Sequence, residues 1–233
     1  MKRDTTPAAR TIPILVWDLP VRVFHWLLAF SFAGAYLTAE ADSLRAVHVT
    51  LGITAVALAC WRILWGFAGT RYARFSAFVR GPAAVAAYLR SLVRGQPQHF
   101  TGHNPAGALA ILTMLALTLA AGVTGLLLYT GGPEWLEEVH EVIANLMLAV
   151  VIVHIAAVIV SSWLHRENLA RAMVTGRKAG DAGAAGGRSH RALGVLLLAA
   201  VLGFWTWQSQ HPDAGIVGAG SAEQRGHGHE DDD

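Results

Sequence analysis

The chain contains little charge and almost no cysteine. Asp, Glu, Lys and Arg account for only 15% of its 233 residues, whereas soluble domains average about 25%. This low charge argues against a soluble protein. Cys60 is the single cysteine, which excludes an intrachain disulfide, a zinc site built from several thiolates and the Cys-x-x-Cys-His motif that attaches haem covalently.

Long apolar segments take the place of charge, and hydrophobic residues make up 54% of the chain. A helix needs about 20 mostly apolar residues to cross a bilayer. Four segments approach or exceed this length, at residues 23–39, 46–68, 106–129 and 139–164. A fifth, at 192–207, is shorter and ends in aromatic side chains that suit the membrane interface. The sequence thus predicts an all-α integral membrane protein, a four-helix bundle plus a fifth C-terminal transmembrane helix.

Basic and acidic residues are concentrated on opposite sides of the predicted membrane. The N-terminal arm and the connections after the second and fourth spans are basic, and the loops at 40–45 and 130–138 are mainly acidic. We name these two sides the basic end and the acidic end. Because cytoplasmic loops retain Lys and Arg, we expect a cytoplasmic N-terminus and, after five spans, an external C-terminus. The basic end then faces anionic lipid rather than nucleic acid.

Composition divides the chain into four segments. We assign residues 1–175 to the membrane domain, 176–191 to a flexible Gly-rich cytoplasmic linker, 192–208 to the fifth span and 209–233 to a disordered external tail. Within the domain, 81–94 is typical of an amphipathic interfacial helix, and Asn104 followed by Pro105 is typical of a helix start. His227 and His229 fit a solvated tail better than a metal site.

Two histidines of the fourth span, His140 and His154, lie 14 residues apart. This spacing returns to nearly the same helix face, about 21 Å further along the axis. In the predicted orientation, His48 at the start of the second span matches the depth of His140, and His25 near the start of the first span matches that of His154. We name His48 and His140 the outer pair, and His25 and His154 the inner pair.

Two imidazoles that face each other inside an apolar bundle suit six-coordinate haem iron. The propionates of haem also need cationic partners. Arg62, 14 residues after His48, and Arg22, three residues before His25, are candidates beside the inner pair. The pattern therefore predicts one haem between the members of each pair.

Helix packing and transport also account for parts of this histidine pattern. A single membrane histidine is more often a packing or hydrogen-bonding residue than a ligand, and Arg62 can simply extend its guanidinium to the membrane edge. A transporter that uses the histidines as a relay or as metal ligands is another alternative. Transporters of this kind usually contain intramembrane carboxylates, and here only Glu141 approaches the bilayer. Four histidines in three helices at two matched depths favour haem.

Four stretches of sequence are specific when taken together. They are VWDLPVRVFHW at 16–26, CWRILWGFAGTRYARFSAFVRGP at 60–82, TGHNPAGALAIL at 101–112 and the helix with His140 and His154. They resemble the bacterial cytochrome b561 and nickel–iron-hydrogenase b-type cytochrome family. The similarity covers roughly residues 13–175, so it implies nothing about the linker and the tail.

The resemblance implies a membrane protein of four or five helices with two non-covalent b-type haems, each between two histidines; the matching residues are His25, His48, His140 and His154. It also implies electron transfer between a redox partner and quinone in the respiratory chain of a bacterial inner membrane. The external C-terminus expected from the charge distribution is then periplasmic. The partner would be a periplasmic cytochrome c or a hydrogenase- or dehydrogenase-type subunit. Quinone oxidoreductase activity is compatible with this function, and a haem-containing anchor that docks a catalytic complex is the alternative.

Polar residues near the inner pair are candidates for a quinone site. His99, His103 and Asn104 lie in the loop before the third span, and 81–94 is placed to cover them. Capping of the third span explains the same residues equally well.

Carboxylates near the outer pair are candidates for partner docking, since a rim of charge speeds encounter with a basic surface. They are Glu134, Glu137, Glu138 and Glu141 beside His140, with Glu40 and Asp42 in the other acidic loop. Retention of basic residues on the cytoplasmic side explains this distribution equally well.

Overall fold

The computed structural model describes residues 12–96 and 98–211, and in this part of the chain it contains eight α-helices and one two-stranded sheet. The helices are α1 (Leu19–Leu37), α2 (Arg45–Ala68), α3 (Phe75–Phe78), α4 (Pro82–Val93), α5 (Pro105–Tyr129), α6 (Trp135–Leu164), α7 (Leu169–Thr175) and α8 (Arg191–Gln210). The strands are β1 (Ile12–Leu15) and β2 (Arg177–Gly180). The five predicted spans correspond to α1, α2, α5, α6 and α8, and the predicted amphipathic helix corresponds to α4.

The five long helices pack as a bundle. α5 packs against α6, α2 against α5, and α1 against both α2 and α8. The indole N–H of Trp205 in α8 donates to the hydroxyl of Thr54 in α2 at 2.9 Å, so the fifth helix is joined to the other four. The predicted all-α fold, a four-helix bundle with a fifth C-terminal helix, is confirmed.

Four segments of the described chain are long and apolar enough to cross a membrane. They are Asp42–Ala68, Pro105–Tyr129, Trp135–Leu164 and Arg191–Gln210. α1 has 19 residues and is less apolar because it carries Arg22 and His25 in its first two turns. α6 exposes large apolar side chains such as Ile152 and Ile159, as a helix in contact with lipid does.

Side-chain caps fix the starts of α1 and α5. The Asn104 side chain accepts a backbone N–H three residues ahead at 2.7 Å and Pro105 is the first helical residue, as the sequence predicts. Asp18 caps α1 in the same way at 2.9 Å. Its second carboxylate oxygen accepts from Trp65 at 3.1 Å and from Thr70 at 2.7 Å. One buried carboxylate therefore ties the start of α1 to the end of α2.

The N-terminal strand closes the basic end of the bundle. β1 pairs antiparallel with β2, with Leu15 opposite Arg177. The next two backbone N–H groups, of Val16 and Trp17, both donate to the carbonyl of Gly176 at 2.9 and 3.0 Å. The prediction of a flexible linker over 176–191 is wrong for its first part, since residues 177–180 form a paired strand. The sequence pattern did not reveal this because the partner strand lies more than 160 residues away.

Buried apolar side chains form two clusters. One lies within the bundle and includes Phe24, Leu58 and Leu115. The other joins β1, the start of α1 and α7, and includes Ile14 and Ala172. α8 ends at Gln210 rather than at 208, and the predicted tail from 212 onward, with its two histidines, lies outside the described residues.

Candidate functional site

The outer pair faces across the bundle. The ring centroids of His48 in α2 and His140 in α6 are 6.2 Å apart, with the ring planes at 71°. Two metal–nitrogen bonds of about 2 Å each, plus about 1 Å from each ring centre to its nitrogen, add up to roughly 6 Å. The observed separation is therefore the one that two imidazoles adopt on opposite sides of a single metal ion.

Hydrogen bonds orient both rings of the outer pair. The Nδ1 atom of His48 lies 2.8 Å from the carbonyl of Ala35, which can only accept, so this nitrogen carries the proton. The Nδ1 atom of His140 lies 3.0 Å from the hydroxyl of Thr124, which itself donates to the carbonyl of Ala120 at 3.0 Å and so accepts from the imidazole. Each Nε2 atom is then unprotonated and suited to bind a metal, with Nδ1 held by a neighbouring oxygen.

Glycines leave room beside these rings. A Cβ atom at Gly125 would lie 3.0 Å from the Cε1 atom of His140, so any larger residue there would press on the imidazole. Gly52 follows His48 by one helical turn, and a Cβ atom there would meet nothing within 4 Å. Two glycines thus keep side chains away from the outer pair, and with the two oriented imidazoles these residues fit haem.

The inner pair lies toward the basic end. His25 in α1 and His154 in α6 are close enough to interact electrostatically. The Nδ1 atom of His25 is buried and has no hydrogen-bond partner among the described residues. Unlike the outer rings, it is left without a protein oxygen, and burying such a group without a partner costs about 1–3 kcal/mol.

His103 lies beside the inner pair rather than in an exposed loop. Its ring centroid is 4.4 Å from that of Trp17 and 4.9 Å from that of Phe78. Burial, together with the nearby Arg62 guanidinium, lowers the pKa of His103 to about 3. Its imidazole is therefore neutral at physiological pH, with one nitrogen as donor and the other as acceptor.

Arg62 also lies in this region and does not reach the membrane edge. The residue is 2% exposed, and its guanidinium lies 5.2 Å from the ring of Phe75 and 5.9 Å from that of Phe78. The Nη1 atom has no hydrogen-bond partner among the described residues. A buried guanidinium with a free donor suits an anionic group, and a haem propionate is one such group. The alternative that Arg62 extends to water is wrong.

Arg22 has a different environment. It donates from Nη2 to the carbonyl of Val174 at the end of α7. Its Nε atom is buried without a partner among the described residues. Gly176 is packed against its side chain, since a Cβ atom there would lie 3.2 Å from the Nη1 atom. Arg22 therefore ties α1 to α7 and keeps one donor for a further group.

Tyr88 and Ser161, neither of which is a candidate from sequence, lie beside Asn104. Tyr88 of α4 is 1% exposed, and its hydroxyl lies near the side chains of Ser161 and Asn104. It makes no hydrogen bond of good geometry among the described residues. The signal in the sequence is a lone tyrosine on the apolar face of an amphipathic helix, which by itself indicates only packing.

Polar residues beyond these form a second group at the basic end. The rings of His99 and His165 are 4.3 Å apart. Lys178 of β2 pairs with Glu167 at 3.0 Å. Of these four residues, only His99 is a candidate from sequence, and Lys178 reaches Glu167 only because β2 pairs with β1.

The acidic end contains a shallow cavity on the surface of the start of α6. It has a volume of about 480 Å³, and it is lined by Trp135 and by Glu134, Glu137, Glu138 and Glu141. The predicted cluster of four carboxylates is thus present on one surface. Glu40 and Asp42 do not line it.

Known proteins are similar to this sequence over most of its length. A family model described as prokaryotic cytochrome b561 matches residues 16–176. A probable Ni/Fe-hydrogenase B-type cytochrome subunit of Rhizobium leguminosarum bv. viciae is 24% identical over 212 residues, covering 71% of this chain and 88% of the relative. A relative with the same name from Rhodobacter capsulatus is 21% identical over 226 residues, covering 76% and 86%. No solved structure matches the chain. Because the family model spans more than half of the residues, the chain belongs to the prokaryotic cytochrome b561 family.

Proposed function

We propose that this protein is a membrane b-type cytochrome with two haems that carries electrons between a redox partner and quinone. The observation that carries the proposal is the arrangement of two histidine pairs that share α6. His140 and His154 lie 14 residues apart on this helix, which is about 21 Å along its axis. The His48 ring faces His140 at 6.2 Å, and His25 lies near His154.

Each pair has a defined role in this proposal. The outer pair would hold one haem iron through the two Nε2 atoms that the hydrogen bonds of Nδ1 leave free. The inner pair would hold a second iron, and the free Nη1 donor of Arg62 would suit a propionate. When bound, each haem takes up and releases one electron. The helices hold the ligands in fixed positions, so that transfer between the two layers needs no moving part.

The quinone site lies beside the inner pair. The hydroxyl of Tyr88 and the side chains of Ser161 and Asn104 lie near one another, and the neutral imidazole of His103 is adjacent to the inner pair. These groups can donate hydrogen bonds to the two carbonyls of a quinone ring.

An apolar groove next to these groups suits the tail of a quinone. It has a volume of about 350 Å³ between α4 and the first two turns of α5. Its lining is apolar apart from Arg80 and includes Val85, Leu89, Ala108 and Leu112. α4 therefore covers the polar groups with its tyrosine and borders the groove with its neighbouring residues.

The partner is a hydrogenase-type subunit that docks at the acidic end. Two observations support this: the relatives are named as hydrogenase cytochrome subunits, and a carboxylate-lined cavity lies at the start of α6, the helix that carries His140. A periplasmic cytochrome c with a basic surface would fit the same cavity. The names of the relatives also favour a second function, in which the chain anchors a catalytic complex and its haems are incidental.

The proposed location is a bacterial inner membrane, with the N-terminus in the cytoplasm and the C-terminus in the periplasm. The basic end then faces the cytoplasm and the acidic end faces the periplasm. Reporter fusions to the loop at 130–134 and to the loop at 94–100 should show that these two loops lie on opposite sides of the membrane.

Anaerobic addition of a short-chain quinol to the full chain in lipid nanodiscs tests the function. We expect haem reduction, visible as growth of the absorption bands of ferrous haem, with the inner haem reduced first. Tyr88→Phe should slow this reduction, whereas Tyr36→Phe, whose hydroxyl bonds Asn145 near the acidic end, should not. Quinol that leaves both haems oxidised would support the anchor function, and a response confined to the outer haem would place the quinone site elsewhere.

A further inference from the structure

Three side chains follow one face of α6 toward the basic end. His154, Ser161 and His165 are separated by seven and then four residues, which places them on the same side of a helix. The helical rise separates them by about 10 Å and then about 6 Å. His165 therefore lies one turn beyond Ser161, which borders the Tyr88 hydroxyl.

The end of α6 folds Glu167 back against the same region. Arg166 has a φ of +51°, a left-handed conformation that is unusual for a residue other than glycine. The N–H of Glu167 donates to the carbonyl of Ser162 at 3.1 Å and that of Arg166 to Trp163 at 3.3 Å, which is the Schellman arrangement of a helix end. Glu167 then meets Lys178 of β2 instead of continuing along the helix.

Lys178 is buried although it carries a charge. Its side chain is 7% exposed, that of Glu167 is 30% exposed, and their charged atoms are 3.0 Å apart. The ammonium group also lies 3.5 Å from the carbonyl of Phe100 and interacts electrostatically with His103 and His165. Because the ammonium group loses most of its contact with water, the ion pair with the partly exposed Glu167 adds little net stability.

His165 links this ion pair to solvent. Its ring lies 4.3 Å from that of His99, and His99 is exposed. The Nδ1 atom of His165 is buried and has no hydrogen-bond partner among the described residues. The charged and titratable groups that face it are His99 from the loop before α5, Lys178 from β2 and Glu167 from the turn after α6. Burial, followed by His99 and Lys178, lowers the pKa of His165, while Glu167 opposes this shift.

We propose that this polar group is a proton relay between the aqueous phase at the basic end and the quinone site. Its members are His99, His165, Glu167 and Lys178. The exposed His99 and the partly exposed Glu167 exchange protons with water. His165 passes them toward the Tyr88 hydroxyl at the quinone site, and Lys178 holds Glu167 in place. The relay rests on the proposed quinone function.

Reduction of a quinone to a quinol consumes two electrons and two protons. The haem held by His25 and His154 would supply two electrons, one at a time, that originate from the redox partner and pass through the outer layer, and the relay supplies two protons. Two O–H bonds form at the quinone oxygens and the product is quinol. Quinol oxidation is the same sequence reversed, with protons released to the basic end.

Single substitutions in the full chain in lipid nanodiscs test the relay. Glu167→Gln and His165→Ala should leave the haem content, the spectrum and the rate of haem reduction by a soluble donor unchanged. Quinone reduction should slow about tenfold or more, since a positioned proton-transfer group typically contributes at least this factor. Asp181→Asn, an exposed carboxylate after β2 that lies outside the relay, is the matched control and should retain the full rate.

Chemical rescue separates proton transfer from a structural role. Added imidazole should restore much of the quinone reduction rate to His165→Ala, and a small weak acid such as formic acid should do the same for Glu167→Gln. His99→Asn changes an exposed residue, so it tests the relay even where a buried substitution disturbs folding. It should slow quinone reduction more at pH 8, where protons are scarce, than at pH 6.

The outcomes distinguish this relay from the function on which it depends. If the unmodified protein does not exchange electrons with quinone, the proposed function fails. If it does, and the three variants reduce quinone at the unmodified rate, the relay is wrong. Slow variants that also lose haem and that imidazole or formic acid does not restore would equally overturn it, because these residues would then be structural.

Discussion

The outer and inner pairs are built from the same residue type but held in different ways. Both rings of the outer pair are fixed by oxygens of the bundle helices, Ala35 at 2.8 Å and Thr124 at 3.0 Å. In the inner pair, the Nδ1 atom of His25 has no such partner within the described chain. The buried guanidinium of Arg62 lies near His103, which is adjacent to this pair. Oxygen acceptors thus orient both rings of the outer pair, whereas a buried cation lies near the inner pair.

In the proposed two-haem cytochrome, this difference predicts a direction of electron flow. Ferric haem carries one more positive charge than ferrous haem, so nearby cations favour the reduced form and raise the reduction potential. Arg62 and Lys178 lie around the inner pair's neighbour His103, whereas carboxylates line the cavity at the outer pair's end. The inner haem should therefore have the higher potential, which favours transfer from the outer haem to the inner one and on to quinone.

The largest expected effect comes from removing one ligand of each pair. His48→Ala should remove the outer haem and leave the inner haem, and His154→Ala should do the opposite, because the two pairs share no residue. Each variant should retain about half of the haem, measured by pyridine haemochrome assay, with distinct remaining spectra.

His211→Ala is the control for these ligand variants. His211 lies at the end of α8, where its Nδ1 atom is 3.0 Å from the carbonyl of Trp207, and its loss should leave the haem content unchanged. Full haem content in His48→Ala or His154→Ala would contradict the assignment of a separate haem to each pair.

A steric change should weaken the outer site alone. Gly125→Val places a side chain against the His140 ring, since even a Cβ atom there would lie 3.0 Å from Cε1. Outer haem occupancy should fall substantially while the inner haem persists. Gly203→Val in α8, where a Cβ atom meets nothing within 4 Å, should change neither. Equal loss of both haems from Gly125→Val would contradict the separation of the sites.

A charge change should act on the inner site alone. Arg62→Gln should lower the potential of the inner haem by on the order of 60 mV, equivalent to about tenfold in a one-electron equilibrium. The outer potential should move much less, and the exposed Arg74→Gln should move neither. A redox titration monitored by visible absorption measures both potentials. If the outer potential shifts more than the inner one, the placement of Arg62 is wrong.

The smallest expected effect concerns docking. Glu137→Gln combined with Glu138→Gln should slow electron transfer from a basic donor by about threefold at low salt, because rim charges speed encounter more than they tighten binding. Salt at about 0.15 M should reduce this difference, since it screens exposed charges beyond roughly 8 Å. Stopped-flow transfer rates at several salt concentrations measure it. An electron-transfer rate that changes neither with salt nor with the substitutions would place docking at the basic end.

Much of the bundle was predictable because each span is defined locally. Uninterrupted apolar runs mark the helices, and the Asn104-Pro105 start is a local signal that the structure contains. The facing of His48 and His140 followed from depth alone, since antiparallel spans of similar length align residues at equal distances from the membrane surface.

The basic end was not predictable in the same way. Lys178 comes near His103 only because β2 pairs with β1, a contact between distant segments that no local pattern indicates. Glu167 turns back because Arg166 adopts a left-handed conformation, which an arginine in the sequence does not predict. In the sequence, Tyr88 is an ordinary residue on the apolar face of α4. Only the packing of α4 against the start of α5 and the end of α6 brings its hydroxyl near Asn104 and Ser161.

The haem-to-protein ratio of the purified full chain tests the central claim most directly. Pyridine haemochrome analysis, combined with quantitative amino-acid analysis, should give two haem b groups per chain with bis-histidine spectra. A ratio of one, or of none, in a well-folded protein would contradict the assignment of one haem to each histidine pair.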